Sequence, residues 1–187
     1  MRFDRLIAVL ALAALVTSAG AAPAPVEGRR ARPLRSQVVD NSQTLDINKI
    51  SMFGTNTGSF AYDKGTGNSG LEFPKGTGKT AVFAAGLWMG GKVGGLTRVA
   101  VSEYSDEFQP GAAIGGTVAD PDRADFKVYK LNRRYLTDAE RDVALAAYEA
   151  GAEVWGAPNV TLQPDGSLDV LGDQMAWAVY NDLNPAK

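Results

Sequence analysis

The sequence predicts a mainly β domain with two packed antiparallel sheets, sandwich-like, and one flanking α-helix. Three observations carry this prediction. Short runs of β-branched and aromatic residues recur between glycine-rich turns. The longest apolar run outside the first 21 residues is followed by a glycine pair and lacks a helix cap. A single segment near residue 140 combines a capping box with helical spacing of its apolar residues.

Residues 1–21 have the layout of a secretory signal peptide. Charged residues precede eleven apolar residues at 6–16, and Ala19-Gly20-Ala21 supplies an A-x-A cleavage site. Eleven apolar residues are too few to span a bilayer. We therefore predict an exported protein, located extracellularly, at the cell surface or in the periplasm, with no transmembrane segment in the mature chain.

The rest of the chain divides into a leader and a body. Residues 22–36 are rich in Pro, Ala and Arg and hold almost nothing to bury, which predicts a disordered leader. Residues 37–187 form the predicted mainly β domain, with 13 basic and 19 acidic residues and a net charge of −6. This acidic balance argues against nucleic acid as a partner. The chain stops soon after a predicted strand, so we expect a domain truncated at its C-terminus.

The chain contains no His and no Cys, and this excludes several chemistries. Ser-His-Asp and Cys-His catalysis require residues that are missing, as do zinc, copper or iron sites that use His ligands. Paired carboxylates, Lys nucleophiles and calcium held by oxygen ligands remain available. The sequence assigns no catalytic residue and no cofactor-binding residue.

The string Gly76-Thr-Gly-Lys-Thr80 is similar to part of a phosphate-binding P-loop. A true P-loop has a further Gly five residues before Gly78, where this chain has Phe73, and it opens a helix. The residues after Thr80 are β-formers instead. We therefore predict a glycine-rich turn that leads into a strand.

Strands are predicted along the first half of the body. Residues 47–53 and 58–62 are short mixed runs of β-formers. Residues 80–89 are apolar on both faces, which predicts a strand covered on both sides, with Trp88 in the core. Gly94-Gly95 predicts a two-residue hairpin turn from which the chain returns along residues 96–104.

One helix and further strands are predicted in the second half. Residues 126–131 alternate as in a strand with one polar side. Thr137-x-x-Glu140 is a capping box that begins the helix, and Gly151 is placed to end it. We expect the helix to pack on a sheet through a stripe of apolar residues, Ala139, Val143, Ala146, Ala147 and Ala150. After the helix, residues 159–171 predict a hairpin, and residues 175–181 predict a final strand.

Two acidic groups are the candidates for a site. The first is Asp120, Asp122 and Asp125, which we predict as candidate calcium ligands, and the second is Glu103, Asp106 and Glu107. Carboxylate oxygens are the ligands that calcium prefers, although neither group has EF-hand spacing. The same carboxylates are the candidates for hydrolysis of a carbohydrate by an acid pair. Solvated loops are the alternative interpretation of both groups.

Two stretches carry a family resemblance. Glu72-Phe-Pro-Lys-Gly with Gly86-Leu-Trp-Met-Gly-Gly91, and Gly172-Asp-Gln-Met-Ala-Trp-Ala-Val-Tyr-Asn-Asp182, resemble the N-terminal region of long exported bacterial proteins. Those proteins continue into immunoglobulin-like modules and often end in a C-terminal sorting tail. The resemblance covers most of residues 46–187 and implies no assigned activity.

The sequence thus favours a non-enzymatic structural or interaction module of a secreted or cell-surface bacterial protein. Its predicted partners are neighbouring domains of a longer chain, or a surface protein or glycan. The alternatives are a carbohydrate-active or carbohydrate-binding domain that uses carboxylates of the acidic loops, and a binding module stabilised by calcium.

Overall fold

A computed structural model describes residues 41–102 and 107–183 of the 187-residue chain. The predicted signal peptide (1–21) and leader (22–36) lie outside the described residues. Glu103 and Asp106 of the second acidic group also lie outside them, as does the C-terminus from residue 184.

The described part of the chain is mainly β with a single α-helix, as the sequence predicts. The first ten strands are β1 (Ser42–Leu45), β2 (Ser51–Thr55), β3 (Ser59–Phe60), β4 (Tyr62–Asp63), β5 (Asn68–Ser69), β6 (Leu71–Glu72), β7 (Thr80–Val82), β8 (Ala85–Gly86), β9 (Trp88–Val93) and β10 (Leu96–Val101). The later elements are β11 (Gln109–Pro110), β12 (Ala113–Ile114), β13 (Thr117–Val118), β14 (Tyr129–Asn132), α1 (Asp138–Gly151), a 3-10 turn (Glu153–Trp155), β15 (Gln174–Trp177) and β16 (Tyr180–Asn181).

All strand pairs in the described residues are antiparallel, and β2 organises the largest sheet. This sheet has six strands in the order β7-β6-β2-β3-β8, with β1 also paired to β2. Strand β1 pairs along β2, while β6 and β3 meet β2 at separate positions, Ser51–Met52 and Gly54. The remaining strands form two-stranded sheets, namely β9–β10, β11–β16, β12–β13, β14–β15 and β4–β5.

The main hydrophobic core lies between helix α1 and the β14–β15 pair. Its members are buried and come from the strand, the helix and the segment after it, namely Tyr129, Leu131, Tyr148, Ala152, Val160, Leu168 and Val170. Met175 and Trp177 of β15 pack against this cluster. The apolar residues of the second half of the chain therefore supply this core.

The apolar run 80–89 is not the single covered strand that the sequence predicts. It is divided among β7, β8 and the start of β9, which pair with three different strands. Phe83, Trp88 and Met89 are 52%, 67% and 50% exposed, so the prediction of Trp88 as a core residue is wrong. The pattern indicates a strand with apolar faces, but the structure places no covering layer on them within the described residues.

Helix α1 begins as predicted but buries a different face. The Thr137 hydroxyl oxygen accepts a hydrogen bond from the Glu140 N–H at 3.2 Å, which confirms the N-cap. Val143 of the predicted stripe is 72% exposed, and the helix buries Arg141, Tyr148 and Gly151 instead. The predicted packing face is therefore wrong, because Tyr148 removes more apolar surface from water than the alanines can.

The segments after the helix are strands of reduced length. The predicted hairpin at 159–171 is a turn closed by an isolated bridge between Leu162 and Leu168. The predicted final strand is divided into β15 and β16. Among the described residues, no helix combines the length and the apolar character needed to cross a membrane.

Candidate interaction surface

The β9–β10 hairpin is confirmed in the position that Gly94-Gly95 predicts. Its register pairs Val93 with Leu96 and Trp88 with Val101. The two turn glycines have φ of 58° and 82°, the left-handed values that a type I′ turn requires at both central positions. This turn matches the twist of the strands, so local sequence is enough to specify the hairpin.

Large apolar side chains are exposed on both faces of this hairpin. Residues opposite each other on paired strands share a face, and neighbours along a strand alternate. Trp88 (67% exposed) and Val99 (62%) therefore lie on one face, while Met89, Val93 and Leu96 (50–66%) lie on the other. We call residues 88–101 the hairpin arm. Its residues 88–99 are all exposed, so the described body covers neither face.

Both long edges of the hairpin arm are open along most of their length. Within residues 41–102 and 107–183, β9 and β10 pair only with each other. Val93 and Leu96 flank a two-residue turn, so they form a hydrogen-bonded pair. Hydrogen-bonded and non-hydrogen-bonded pairs alternate along an antiparallel ladder. The backbone N–H and C=O groups of Thr97, Val99 and Val101 therefore point outward from β10. The outer edge of β10 thus presents donors and acceptors that suit another strand.

Glu107 already occupies the base of this edge. The Val101 N–H donates to a carboxylate oxygen of Glu107 at 2.6 Å, and the Glu107 N–H donates to the Val101 carbonyl at 3.3 Å. Glu107 belongs to the second predicted acidic group. Its bonds to Val101 show that the backbone groups of Val101 point outward from β10, as inferred from the register for Thr97 and Val99.

The charge of the arm is opposite to that of the second half of the domain. Lys92 and Arg98 are its charged residues, and both are basic. Residues 41–102 carry six basic and three acidic residues, a net charge of +3, whereas residues 107–183 carry six and thirteen, a net charge of −7. Although the body as a whole has a negative net charge, its first half, which includes the arm, has a positive one.

The first acidic group is a loop held by its own hydrogen bonds. The Asp122 N–H donates to Asp120 Oδ1 at 3.0 Å. Asp125 receives two hydrogen bonds from Arg123, at 2.9 and 2.7 Å, and one from Trp155 Nε1 at 2.8 Å. In the described residues, these carboxylates do not form a group of three that could hold a metal ion. Calcium binding by Asp120, Asp122 and Asp125 remains a prediction from the sequence.

Asp125 connects this loop to the aromatic residues beside it. The hydrogen bonds from the Arg123 guanidinium, followed by that from Trp155, lower the pKa of Asp125 from 3.8 to about 2, against the opposing effect of burial. The Arg123 guanidinium also lies over the rings of Phe126 and Trp155, 5.5 and 5.4 Å from their centroids. The ionised carboxylate of Asp125 therefore has a structural role, since it holds Arg123 and Trp155 in place.

In the Gly76–Thr80 string, residues 76–79 belong to the loop between two antiparallel strands, β6 and β7, and Thr80 begins β7, in agreement with the predicted glycine-rich turn that leads into a strand. The carboxylate of Glu72 accepts a hydrogen bond from the Gly78 N–H. Backbone N–H groups of Gly78, Gly76 and Thr77, in that order, lower the pKa of Glu72. The amides that would face a phosphate in a P-loop here face a carboxylate of the same chain.

An open, mainly apolar groove of about 390 Å³ lies near the base of the arm. Its larger lining side chains come from five strands and one connection, namely Leu45, Met52, Phe60, Leu87, Trp177 and Tyr180. Aromatic rings beside amides and hydroxyls are typical of sites for small ligands. The carbohydrate alternative, which uses carboxylates of the acidic loops, stays a prediction, and none of those carboxylates within the described residues lines this groove.

The exposed arm was missed by sequence reasoning, although a signal for it exists. Its strands carry apolar residues on both faces, as a covered strand does, but glycines and cations interrupt them at Gly90, Gly91, Lys92 and Arg98. A cation in each strand is unfavourable inside a closed core and suits an exposed surface. That interruption distinguishes the arm from a core strand.

The chain matches no protein-family model, no curated protein and no solved structure. The resemblance to the N-terminal region of long exported bacterial proteins therefore stays a prediction that rests on the residues given above.

Proposed function

We propose that this protein is a non-enzymatic interaction module of a secreted or cell-surface bacterial protein, and that the hairpin arm is its docking surface. The observation that carries the proposal is the exposure of five large apolar side chains, on both faces of a two-stranded sheet with open edges. The predicted signal peptide supports the location outside the cytoplasm.

The energetics of the arm favour a docking role over a folding role. An isolated two-stranded hairpin is marginally stable in water, and contiguous exposed apolar surface marks sites of interaction. The arm contributes none of the residues of the main core. A partner that covers both faces would remove from water the side chains that the body leaves exposed. Neighbouring domains of a longer chain, or a surface protein, have the size to do so.

The proposal is tested by changing the arm without changing the core. In the double variant Trp88→Ser, Val99→Thr, the free energy of unfolding should change by no more than about 1 kcal/mol, since each site is at the surface. Binding of the apolar dye bis-ANS should fall. Leu136→Ser is the matched control, because Leu136 is 97% exposed but lies outside the arm.

Photo-crosslinking then tests the docking itself. A p-benzoylphenylalanine at position 88 should crosslink the chain to one defined partner on the surface of the producing cell. The same probe at position 136 should not. Loss of cooperative unfolding in the arm variant would assign the arm to folding, and equal crosslinking at both positions would remove the arm as the docking surface.

A further inference from the structure

We propose that the outer edge of β10 is a strand-addition site for an extended segment in which acidic and apolar residues alternate. The proposal rests on the docking role of the arm and adds the place, the mode and the chemistry of the partner. Three observations meet at this edge, namely its open backbone groups, the Glu107 carboxylate at its base and the charge of Arg98, which forms no ion pair within residues 41–102 and 107–183.

The backbone geometry supplies the mode. The N–H and C=O groups of Thr97 and Val99 point away from β9 into solvent, with the spacing of an antiparallel edge. An extended partner that pairs there turns the two-stranded arm into a three-stranded sheet. Main-chain hydrogen bonds supply the affinity in this mode of recognition, and side-chain pairs supply the specificity.

The base of the edge shows that its outward backbone groups accept hydrogen-bond partners. Val101 is the outward-pointing residue next after Val99, and both its N–H and its carbonyl are bonded to Glu107. Glu107 therefore closes the edge at Val101 and leaves the outward groups of Thr97 and Val99 for an added strand. A partner segment that begins beyond Glu107 would continue this pairing toward the tip of the arm.

Arg98 sets the charge of the partner. Its side chain lies on the face shared with Met89, Val93 and Leu96, and residues 88–101 contain no acidic residue to neutralise it. A residue directly opposite on an added strand lies about 5 Å away, where an opposite charge stabilises the pair and a like charge destabilises it. An acidic residue opposite Arg98 places its two neighbours on the other face, opposite Thr97 and Val99, where apolar side chains fit.

The edge of β10 is favoured over that of β9 by composition. Strand β9 has Gly90 and Gly91 at its centre, which offer no side chain to an added strand. Strand β10 reads Leu-Thr-Arg-Val-Ala-Val, with β-formers at the outward-pointing positions Thr97 and Val99. Cross-strand side-chain pairs can therefore form along β10.

The experiment uses the chain with two peptide probes, Ac-TVEVEVT-NH2 and Ac-TVKVKVT-NH2. The acidic peptide should bind and should slow amide hydrogen exchange at Thr97 and Val99, while the lysine peptide should bind at least roughly tenfold more weakly. Binding of the acidic peptide should weaken as salt is raised. Protection of these two amides reports strand addition and would not follow from contact with a face of the arm.

Two variants make the result specific. Val99→Pro removes an outward N–H, and proline is tolerated on an edge strand where that group faces solvent, so the hairpin persists while binding is lost. Val99→Ala keeps the N–H and is the matched control that should retain binding. Arg98→Glu should reverse the preference so that the lysine peptide binds more tightly. Exchange at the Arg98 N–H, which bonds to β9, verifies in Val99→Pro that the hairpin is intact.

The outcomes separate this inference from the proposed function. Equal binding of the two peptides, binding that survives Val99→Pro, or no binding to the unmodified chain would overturn strand addition by an acidic segment. None of these results affects crosslinking at position 88, which requires neither a charged nor an extended partner. Loss of that crosslinking would overturn the docking role itself.

Discussion

Gly151 of helix α1 lies directly against the Tyr129 side chain of strand β14. A Cβ atom at position 151 would lie 1.8 Å from the Tyr129 hydroxyl oxygen and 2.6 Å from the ring carbon that bears it. The hydroxyl is fixed because it donates to the Asp125 carbonyl at 2.9 Å. The ring packs edge-on against Tyr148, with 6.1 Å between ring centroids. Glycine is therefore required at 151 for close packing, not for ending the helix.

We predict that Gly151→Ala lowers the free energy of unfolding by about 1–3 kcal/mol, as overpacking of a core does. Without this contact, alanine would stabilise the helix relative to glycine. A decrease in the free energy of unfolding therefore indicates the close contact with Tyr129. Thermal or urea unfolding measures the effect. Gly91→Ala is the control, since a Cβ there meets no atom within 4 Å. A stabilised Gly151→Ala would contradict the packing.

Asp125 gives a residue-scale prediction for pH. Its pKa in the folded protein, about 2, lies below the ordinary 3.8 because Arg123 and Trp155 donate to the ionised form. A lowered pKa stabilises the fold fully above about pH 4, and this contribution is lost as the pH falls through 2. Carbon-13 NMR titration of the Asp125 carboxyl should give a midpoint near 2.

The matched variant for this pH prediction is Arg123→Gln. It removes the guanidinium that supplies the largest lowering of the Asp125 pKa. The titration midpoint of Asp125 should move up toward 3.8. The free energy of unfolding of the variant should be lower than that of the unmodified chain, and this difference should be smaller at pH 3 than at pH 7. An unchanged midpoint would show that another group holds the carboxylate ionised.

At the scale of elements, the N-cap of α1 is the most local feature of the fold. Thr137→Ala should cost about 1 kcal/mol of stability, because the Glu140 N–H loses its acceptor. Thr137→Ser retains the hydroxyl and should stay close to the unmodified protein. The comparison uses the helical circular dichroism signal and the unfolding midpoint. Equal losses in the two variants would contradict capping by the hydroxyl.

The elements also show what could be predicted from the sequence. The β9–β10 turn and the start of α1 follow from residues within a few positions of each other, Gly94-Gly95 and Thr137 with Glu140, so local reading suffices. Burial does not follow in this way. Trp88 and Tyr148 are both aromatic residues on apolar stretches, yet one is 67% exposed and the other 1%. That difference depends on which elements meet, which no local pattern specifies.

The candidate site was predictable only in its parts. The sequence predicts the hairpin but places its first strand in the core, and it gives no link between the hairpin and the acidic residues. Glu107 bonds to Val101, and β11 then pairs with β16, which lies near the C-terminal end of the described sequence. Long-range pairing of this kind positions the edge of β10, and its register cannot be obtained from composition.

At the scale of the whole molecule, the main core and the exposed hairpin arm belong to different parts of the chain. The main core uses residues 129–177, while the arm uses 88–101. The charges divide in the same way, with net values of +3 for residues 41–102 and −7 for residues 107–183. The acidic segment proposed above would therefore be attracted to the first half and repelled by the second, which would orient its approach.

The separation of the arm from the core has an evolutionary consequence. Mutations in residues 88–93 and 96–99 change no contact of the main core, so selection for folding leaves these strand positions free to vary. A duplicated copy of this gene could acquire a new partner by drift in the arm alone. Related chains should then keep the glycines of the turn and the tyrosines of the core while their arms diverge. Sequence variation concentrated in the arm would record changes of partner rather than loss of constraint.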